Sequence, residues 1–270
     1  MSRSLPEIDP TIPSIARVYD AFLGGKDHYE VDRMVYQQIL KIAPESAHSG
    51  RECRAWLIRV VRFLAANAGI DQFLDAGSGL PTAENTHQAA QRINSEAQVV
   101  YVDNDPMVAA HGRALLEEND RTHFVVGDLR DPAELLRDPT VTRYIDFNRP
   151  LALIHSNTIH HVANEDRPHQ LMAAYIDALP SGSYVAISHL HNPKDGGVRE
   201  ALAVDVEEKF MGLMGTCIFR TREEIAQLFT GLELVEPGLT HLFEWWPDGP
   251  RINPPADGDY LLLGAVGRKP

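Results

Sequence analysis

Cysteine is scarce in this sequence. Cys53 and Cys217 are the only two, and they stand far apart. Their spacing fits neither a CxxC redox pair nor a zinc-ligand set, which argues against a disulfide-stapled scaffold and leaves two reduced, buried thiols as the expectation. Long apolar runs are missing too. No stretch reaches membrane-spanning length, and the opening MSRSLPEIDPTIPS carries acids and three prolines where a secretory signal needs an apolar core. A cytoplasmic protein is expected. Basic residues are also few: 25 Lys and Arg against 38 Asp and Glu give a formal net charge of −13. A surface of that sign repels phosphate backbones and anionic lipid, so neither nucleic acid nor a membrane is an expected partner.

What is present is ordinary globular material. At 270 residues, 44% hydrophobic and 23% charged, the chain suffices for one large α/β domain or for a standard domain with an extension. No internal repeat or low-complexity block interrupts it. Ile15, Tyr19, Phe22 and Leu23 recur at helical spacing, with Ser14 as N-cap and Gly24-Gly25 as the stop. Further helices are expected from about Tyr29 to Ile42 and from Glu52 to Ala68, the latter with Trp56, Leu57, Val60, Val61 and Leu64 on its apolar side. Residues 1–70 therefore read as a helical extension.

From residue 71 the pattern changes to short apolar runs alternating with helices, as in a parallel sheet with crossover connections. The expected strands are Gln72–Asp75, Gln98–Asp103, His123–Val126, Leu151–Ile154 and Tyr184–Ser188, then Leu232–Val235 and Tyr260–Val266. Helices are expected over Glu84–Ile93, Met107–Leu116, His169–Leu179, Arg199–Met211 and Thr221–Phe229. Ligands of open α/β sheets bind at the carboxyl ends of the strands, which gathers Asp75, Asp103, Asp128, His155 and His189 around one region.

The most informative segment is FLDAGSGLPT, residues 73–82, an apolar strand that ends in an acid and runs into Gly77-Ser78-Gly79. Glycines at such a turn let a ligand approach the backbone amides. A dinucleotide fingerprint needs Gly or Ala where Thr82 stands, so the match to an NAD site is incomplete. Asp103 follows Gly79 at the distance where an acid accepts hydrogen bonds from ribose hydroxyls, and Asp128 is placed to accept from an exocyclic amine such as adenine's. Each could instead cap the helix after it. Three acids at successive strand ends suit adenosine without phosphates, and they suit a sulfonium cation better than a pyrophosphate.

DAGSG, VDNDP and GDLRDP together resemble the successive cofactor-binding motifs of class I S-adenosylmethionine-dependent methyltransferases. The segments PSIARVYDAFLGGKDHYEVDR, FLDAGSGLPTAENTH, VVYVDNDPMV, GSYVAISH and LELVEPGL are similar to one bacterial S-adenosyl methyltransferase family of largely unassigned substrate, over nearly the whole chain. The resemblance implies a Rossmann-like, mostly parallel sheet with one antiparallel strand near its edge, helices on both faces, and an N-terminal helical lid over a domain of residues 71–270. It also implies S-adenosylmethionine as cofactor. Gly77, Ser78 and Gly79 would cradle its methionine part, and Asp75 would be a further cofactor contact. Asp103 and Asn104 would take the ribose and adenine, and Asp128 with Leu129 the adenine edge. His155, Ser156 and Asn157 would lie near the transferred methyl. Arg17, Tyr19 and Gly25 would be lid contacts, Arg17 pairing with the cofactor's carboxylate. Leu80-Pro81 departs from the family of folds at a place where a third glycine is common, so the following helix is expected to start differently.

Other readings of these residues remain open at this level. Gly24-Gly25-Lys26 lacks the frame of a P-loop and reads as a helix stop. Histidine occurs 12 times, and His155, His160, His161, His189 and His191 follow strand ends, but their spacing matches no metal signature. His160 and His161 are the candidate bases for an oxygen or nitrogen nucleophile of a small molecule. Trp245 and Trp246 read as packing beneath the last strands. The rival functions are a cofactor-binding protein without transferase activity and an NAD-dependent oxidoreductase.

Overall fold

A computed structural model describes residues 8–82, 84–116, 119–251 and 253–270. In chain order its strands are β1 (Gln72–Ala76), β2 (Gln98–Asp103), β3 (Thr122–Val126), β4 (Ala152–Ser156), β5 (Tyr184–Leu190), β6 (Glu233–Leu234), β7 (Thr240–His241) and β8 (Leu262–Arg268). Its α-helices are α1 (Ile15–Leu23), α2 (Glu30–Ile42), α3 (Ser46–Ala66), α4 (Thr86–Gln91), α5 (Pro106–His111), α6 (Pro132–Leu135), α7 (Pro139–Tyr144), α8 (Pro168–Ala178), α9 (Val198–Met214) and α10 (Arg222–Gln227).

The strands form one sheet in the order β3-β2-β1-β4-β5-β8-β6, with β7 also on β8. β1 to β5 are mutually parallel, and β8 runs antiparallel to all three of its neighbours. The fold is therefore the Rossmann-like class, with one antiparallel strand beside the edge. Both faces are covered, which is why the strands are apolar almost throughout. Successive residues point to opposite faces. Phe73, Val99 and Ile154 meet Trp56, Val60 and Trp245 on the α3 side. Leu74, Val100 and Leu153 meet Tyr175, Ile176 and Phe229 on the α8 side.

Several boundaries depart from the sequence expectation for local reasons. Helix α3 starts at Ser46, before Glu52, and its first turns carry Ser49 and Gly50 into contact with other elements. The segment expected as one helix from Met107 breaks at His111 into a π-helical turn, Gly112–Leu116. The last strand begins at Leu262, because Asp257–Leu261 forms a 3-10 turn with Asp259 receiving the backbone N–H of Ala256. Helix α6 starts at Pro132, where a helix was expected, and α7 was not foreseen; each starts at a proline, with Asp131 and Asp138 as N-caps. Trp245 is fully buried, edge-on to Trp56, whereas Trp246 is partly exposed. Among the described residues no helix is long and apolar enough to cross a membrane.

Gly264 of β8 shows how tight this packing is. A Cβ there would lie 2.6 Å from Leu242 Cδ2 and 2.9 Å from the Trp56 ring. Gly264→Ala is expected to cost about 1–3 kcal/mol through overpacking, lowering Tm by at least about 2 °C. Thermal unfolding of the variant checks this, and an unchanged Tm would show that the indole yields freely.

Candidate functional site

The order of the sheet reverses between β1 and β4, and in open α/β sheets that switch point opens a crevice at the carboxyl ends of the strands. A cavity of about 920 Å³ lies there, walled by the loops after β1 to β4, by the end of β5, by α1 to α3 and by α9. Its size is that of a site for two small molecules or one large one.

Its first wall is the loop after β1. Gly77 and Gly79 have φ of +82° and +68°, a left-handed backbone that favours glycine. A Cβ on Gly77 would strike Thr158 Cγ2 at 2.4 Å, whereas one on Gly79 would meet nothing within 4 Å. The loop thus rests on Thr158 at one glycine and opens onto the cavity at the other. The amides of Gly77 and Ser78 donate to Val102 O, and Gly79 N donates to Asp103 Oδ2 at 2.8 Å. Leu80 turns into the core, and α4 starts only at Thr86, with Asn85 as its cap. The departure at Leu80-Pro81 leaves a gap before α4, which Arg54 of α3 enters. Its Nη2 donates to Thr82 Oγ1 and Glu84 O, both at 2.7 Å, while its buried Nε has no hydrogen-bond partner among the described residues.

Asp103 closes β2. Besides Gly79 N it accepts from Asp105 N at 2.9 Å, which leaves lone pairs on its carboxylate for a further donor. It is not the cap of the next helix: Asp105 caps α5 by accepting from Met107 N and Val108 N. Ser14, the N-cap of α1, donates its hydroxyl to Asp105, which fastens the N-terminal helices to this corner. Asp128 does not cap α6 either, since Asp131 does; its carboxylate is engaged by Arg130. Asp75, almost fully buried, accepts from Thr86 Oγ1 at 2.6 Å.

The second half of the cavity lies over β4 and β5. Asn157, at a left-handed φ of +57°, is held there by Ser188, whose hydroxyl donates to Asn157 Oδ1 and accepts from its amide. Its Nδ2 lies 3.5 Å from the hydroxyl of Tyr19, which donates to Gly50 O and so joins α1 to α3. His160 and His161 follow on a 3-10 turn with ring centroids 4.4 Å apart. The turn is pinned by Arg220, which sequence reasoning missed. Its buried guanidinium donates to Ile159 O, Val162 O and Asn164 Oδ1, and to His189 Nε2 at 2.9 Å.

Of the residues expected at the site, Tyr19, Asp75, Gly77, Ser78, Gly79, Asp103, Asn104, Asp128, Leu129, Ser156, Asn157, His160 and His161 line this cavity. Four others are placed elsewhere. Arg17 is buried in an ion pair with Asp32, Nε to Oδ2 at 2.8 Å, and donates to Ile12 O, so its assignment to a cofactor carboxylate is corrected. Gly25 packs on Asp20, where a Cβ would fall 1.9 Å from Oδ1. The ring of His155 packs on Tyr175 on the α8 side of the sheet, with centroids 5.0 Å apart. His189 faces Arg220 and does not line the cavity. Arg54 had no sequence signal beyond its place on the polar side of a helix; only the gap before α4 brings it to the cavity.

Burial sets the protonation of these groups. It raises Asp103 to about 6, against the opposing pull of its backbone amides, and raises Asp75 as well. Hydrogen bonding from Arg130 lowers Asp128. The Tyr19 phenol and the Cys53 thiol, the latter pushed up to about 12, stay protonated. Burial drives His161 down to about 4, His155 and His189 to about 3, and His160 well below the usual imidazole value, so all four are neutral near pH 7. Among the described residues no group of three or more His, Cys, Asp or Glu could hold a metal ion.

Comparison with known proteins agrees with this geometry. Residues 1–270 match the model of a family described as S-adenosyl methyltransferase. A protein of Thermobifida fusca described as a candidate methyltransferase shares 43% identity over 96% of both chains, with a TM-score of 0.90. A DUF574 family protein of Streptomyces avermitilis shares 37% identity over 98% of this chain and 100% of that one, with a TM-score of 0.92. At 14% identity, an O-methyltransferase family protein of Burkholderia thailandensis shares the fold, with a TM-score of 0.51 over 85% of this chain and 61% of that one. No curated protein matches.

The buried histidines make a pH dependence of stability. In the unfolded chain they take up protons near pH 6.5, while the folded chain holds them neutral until about pH 4 or lower, so the unfolded state binds more protons in between. Stability must therefore fall as pH drops from 6.5 towards 4. Asp75 and Asp103 act in the opposite sense below about pH 6, but they are two groups against four. Tm is expected to be lower at pH 5 than at pH 7.5, and a flat or rising Tm over that range would contradict the neutral-histidine assignment.

Proposed function

The chain belongs to the S-adenosyl methyltransferase family, and on that footing we propose how its residues divide the work of methyl transfer. The protein is an S-adenosylmethionine-dependent methyltransferase acting on a small molecule. When bound, the cofactor supplies an electrophilic methyl group on a sulfonium centre.

The observation that carries the division is the unpartnered, buried Nε of Arg54 beside the glycine loop, at the same end of the cavity as Asp75 and Asp103. A guanidinium with an idle donor in that place is a partner for the cofactor's carboxylate, the role that Arg17 cannot take. Asp75 suits the cofactor's ammonium group, and Gly77, Ser78 and Gly79 the methionine chain, with the buried Ser78 hydroxyl also free of a partner among the described residues. Asp103 and Asn104 hold the ribose and adenine, and Asp128 and Leu129 the adenine edge. The acids also favour the sulfonium electrostatically. Ser156, Asn157 and Tyr19 stand between this end and the histidines, where the methyl passes to the acceptor. Helices α1 and α2 act as the cover that keeps this point dry, so that positioning supplies much of the rate. His160 and His161, both neutral, are the candidates to receive a proton from the acceptor.

S-adenosylhomocysteine at about 100 times its Kd is expected to stabilise the protein by roughly 2.7 kcal/mol, with no shift from NAD. Asp103→Ala and Arg54→Met should each weaken that binding roughly ten- to hundredfold by removing a charge-assisted hydrogen bond. Calorimetric titration checks both, and undiminished binding in Arg54→Met would return the carboxylate to another partner. Because hydroxyl donors favour the ionised form of Asp103, affinity should also decline as pH falls below about 6, and Asp103→Asn should flatten that decline.

A further inference from the structure

We propose that the methyl acceptor is an uncharged phenol on an apolar skeleton, seated over β4 and β5 with its hydroxyl on Nε2 of His160. This names the substrate class of the site and rests on the methyltransferase reading above.

The argument begins with the reversal in strand order. The glycine loop and the ends of β2 and β3 lie to one side of the switch point, and they carry the acids and Arg54. The other side is walled by Phe22, Ile39, Val206, Phe210, Phe219 and Leu262. Phe22 and Phe210 approach across α1 and α9 with ring centroids 6.3 Å apart. The charged residues on this half are Glu45 and Asp257, both exposed at the rim, and Asp257 is turned outward to Arg199. A carboxylate or ammonium acceptor would be buried here without a counter-charge, at a cost that a neutral molecule avoids. Alkyl amines are cationic near pH 7, which disfavours them here, whereas a hydroxyl enters uncharged. Three phenylalanine rings favour an aromatic skeleton.

His160 supplies the polar anchor. It is 4% exposed and lines the cavity; its Nδ1 is enclosed, and its Nε2, the ring nitrogen with access, has no hydrogen-bond partner among the described residues. By contrast His189 has both ring nitrogens engaged, with Leu190 O at 2.6 Å and with Arg220, and His161 Nδ1 lies 3.4 Å from Thr216 Oγ1. A ring nitrogen that opens onto an apolar cavity is left unmatched until a ligand meets it. Burial beside Arg220 keeps His160 neutral but makes it a weak base. A phenol ionises near pH 10, as tyrosine does, far more readily than an aliphatic alcohol, and so it suits that base. In the reaction the phenolic oxygen attacks the methyl carbon. The O–CH3 bond forms as the S–CH3 bond breaks, and the electron pair of the broken bond stays on sulfur, leaving a neutral thioether. The phenolic proton passes to His160 Nε2 and on to solvent.

The test uses the full chain, first titrated with S-adenosylhomocysteine alone. The loaded protein is then titrated with phenol, 1-naphthol, 2-naphthol and 4-hydroxybiphenyl, and with 2-naphthoate and 2-naphthylmethylamine as charged counterparts. At least one neutral phenol should bind ten or more times tighter than either charged compound, and with S-adenosylmethionine it should yield its methyl ether by mass spectrometry. His160→Ala should lower kcat at least tenfold with S-adenosylhomocysteine binding intact, which also shows that the variant folds, and His160→Gln should recover part of the acceptor affinity. Equal or tighter binding of a charged compound, binding by none of the phenols, or unchanged turnover in His160→Ala overturns the proposal. Failure of the wild type to bind S-adenosylhomocysteine is a different result, one that overturns the methyltransferase reading itself.

Discussion

The site depends on a carboxylate that has been partly taken out of water and compensated by backbone amides. Asp103 receives Gly79 N from the loop after β1 and Asp105 N from its own turn, so the ends of two adjacent strands are set by one side chain. Asp105, placed by that turn, caps α5 and accepts from Ser14 at the start of α1. Ser14 N in turn donates to Asp32 Oδ1, and Asp32 also holds Arg17 and Tyr29 N. One run of charge-assisted hydrogen bonds therefore extends from the glycine loop to the helices above the cavity. Bonds to ionised acceptors are the strong ones, and a partly buried network of them is stable only when its members are satisfied together.

The sheet gives this network an opposite. Across the switch point the polar groups are neutral: imidazoles emptied of charge by burial, an asparagine, and hydroxyls. The one buried cation near them, Arg220, spends its donors on Ile159 O, Val162 O, Asn164 and His189 and stays out of the cavity. Parallel strands with their carboxyl ends together produce this division without further design. Each strand contributes the residue that follows it, and strand order decides which contributions become neighbours. Acids at the ends of β1, β2 and β3 line one cavity with the residues after β4 and with α9.

Much of this was legible in the sequence, and the rest was not for identifiable reasons. Strands buried on both faces read as apolar runs, and β2 falls where periodicity put it, over Gln98–Asp103. The glycine loop and Asp103 were legible because backbone geometry and strand-end position restrict which residues can stand there. The roles of single arginines were not. Arg17 sits in a segment shared with the resembling family, yet Asp32, fifteen residues on, claims it. Arg54 and Arg220 look like any polar helix or loop residue, and their partners come from elements distant in sequence. A charge with several donors takes whichever acceptors the tertiary fold brings within reach, and no local pattern records that choice. The same holds for His155 and His160, five residues apart: one faces Tyr175 beneath the sheet and the other lines the cavity, a division set by pleat and turn.

The bond from Ser14 to Asp105 has a mechanical side. It joins the start of α1 to the turn that presents Asp103, and Asp103 in turn holds the amide of Gly79. A displacement of the first helix is therefore transmitted to the glycine loop through two carboxylates. A serine at a helix end thus bears on the shape of a loop that it never touches.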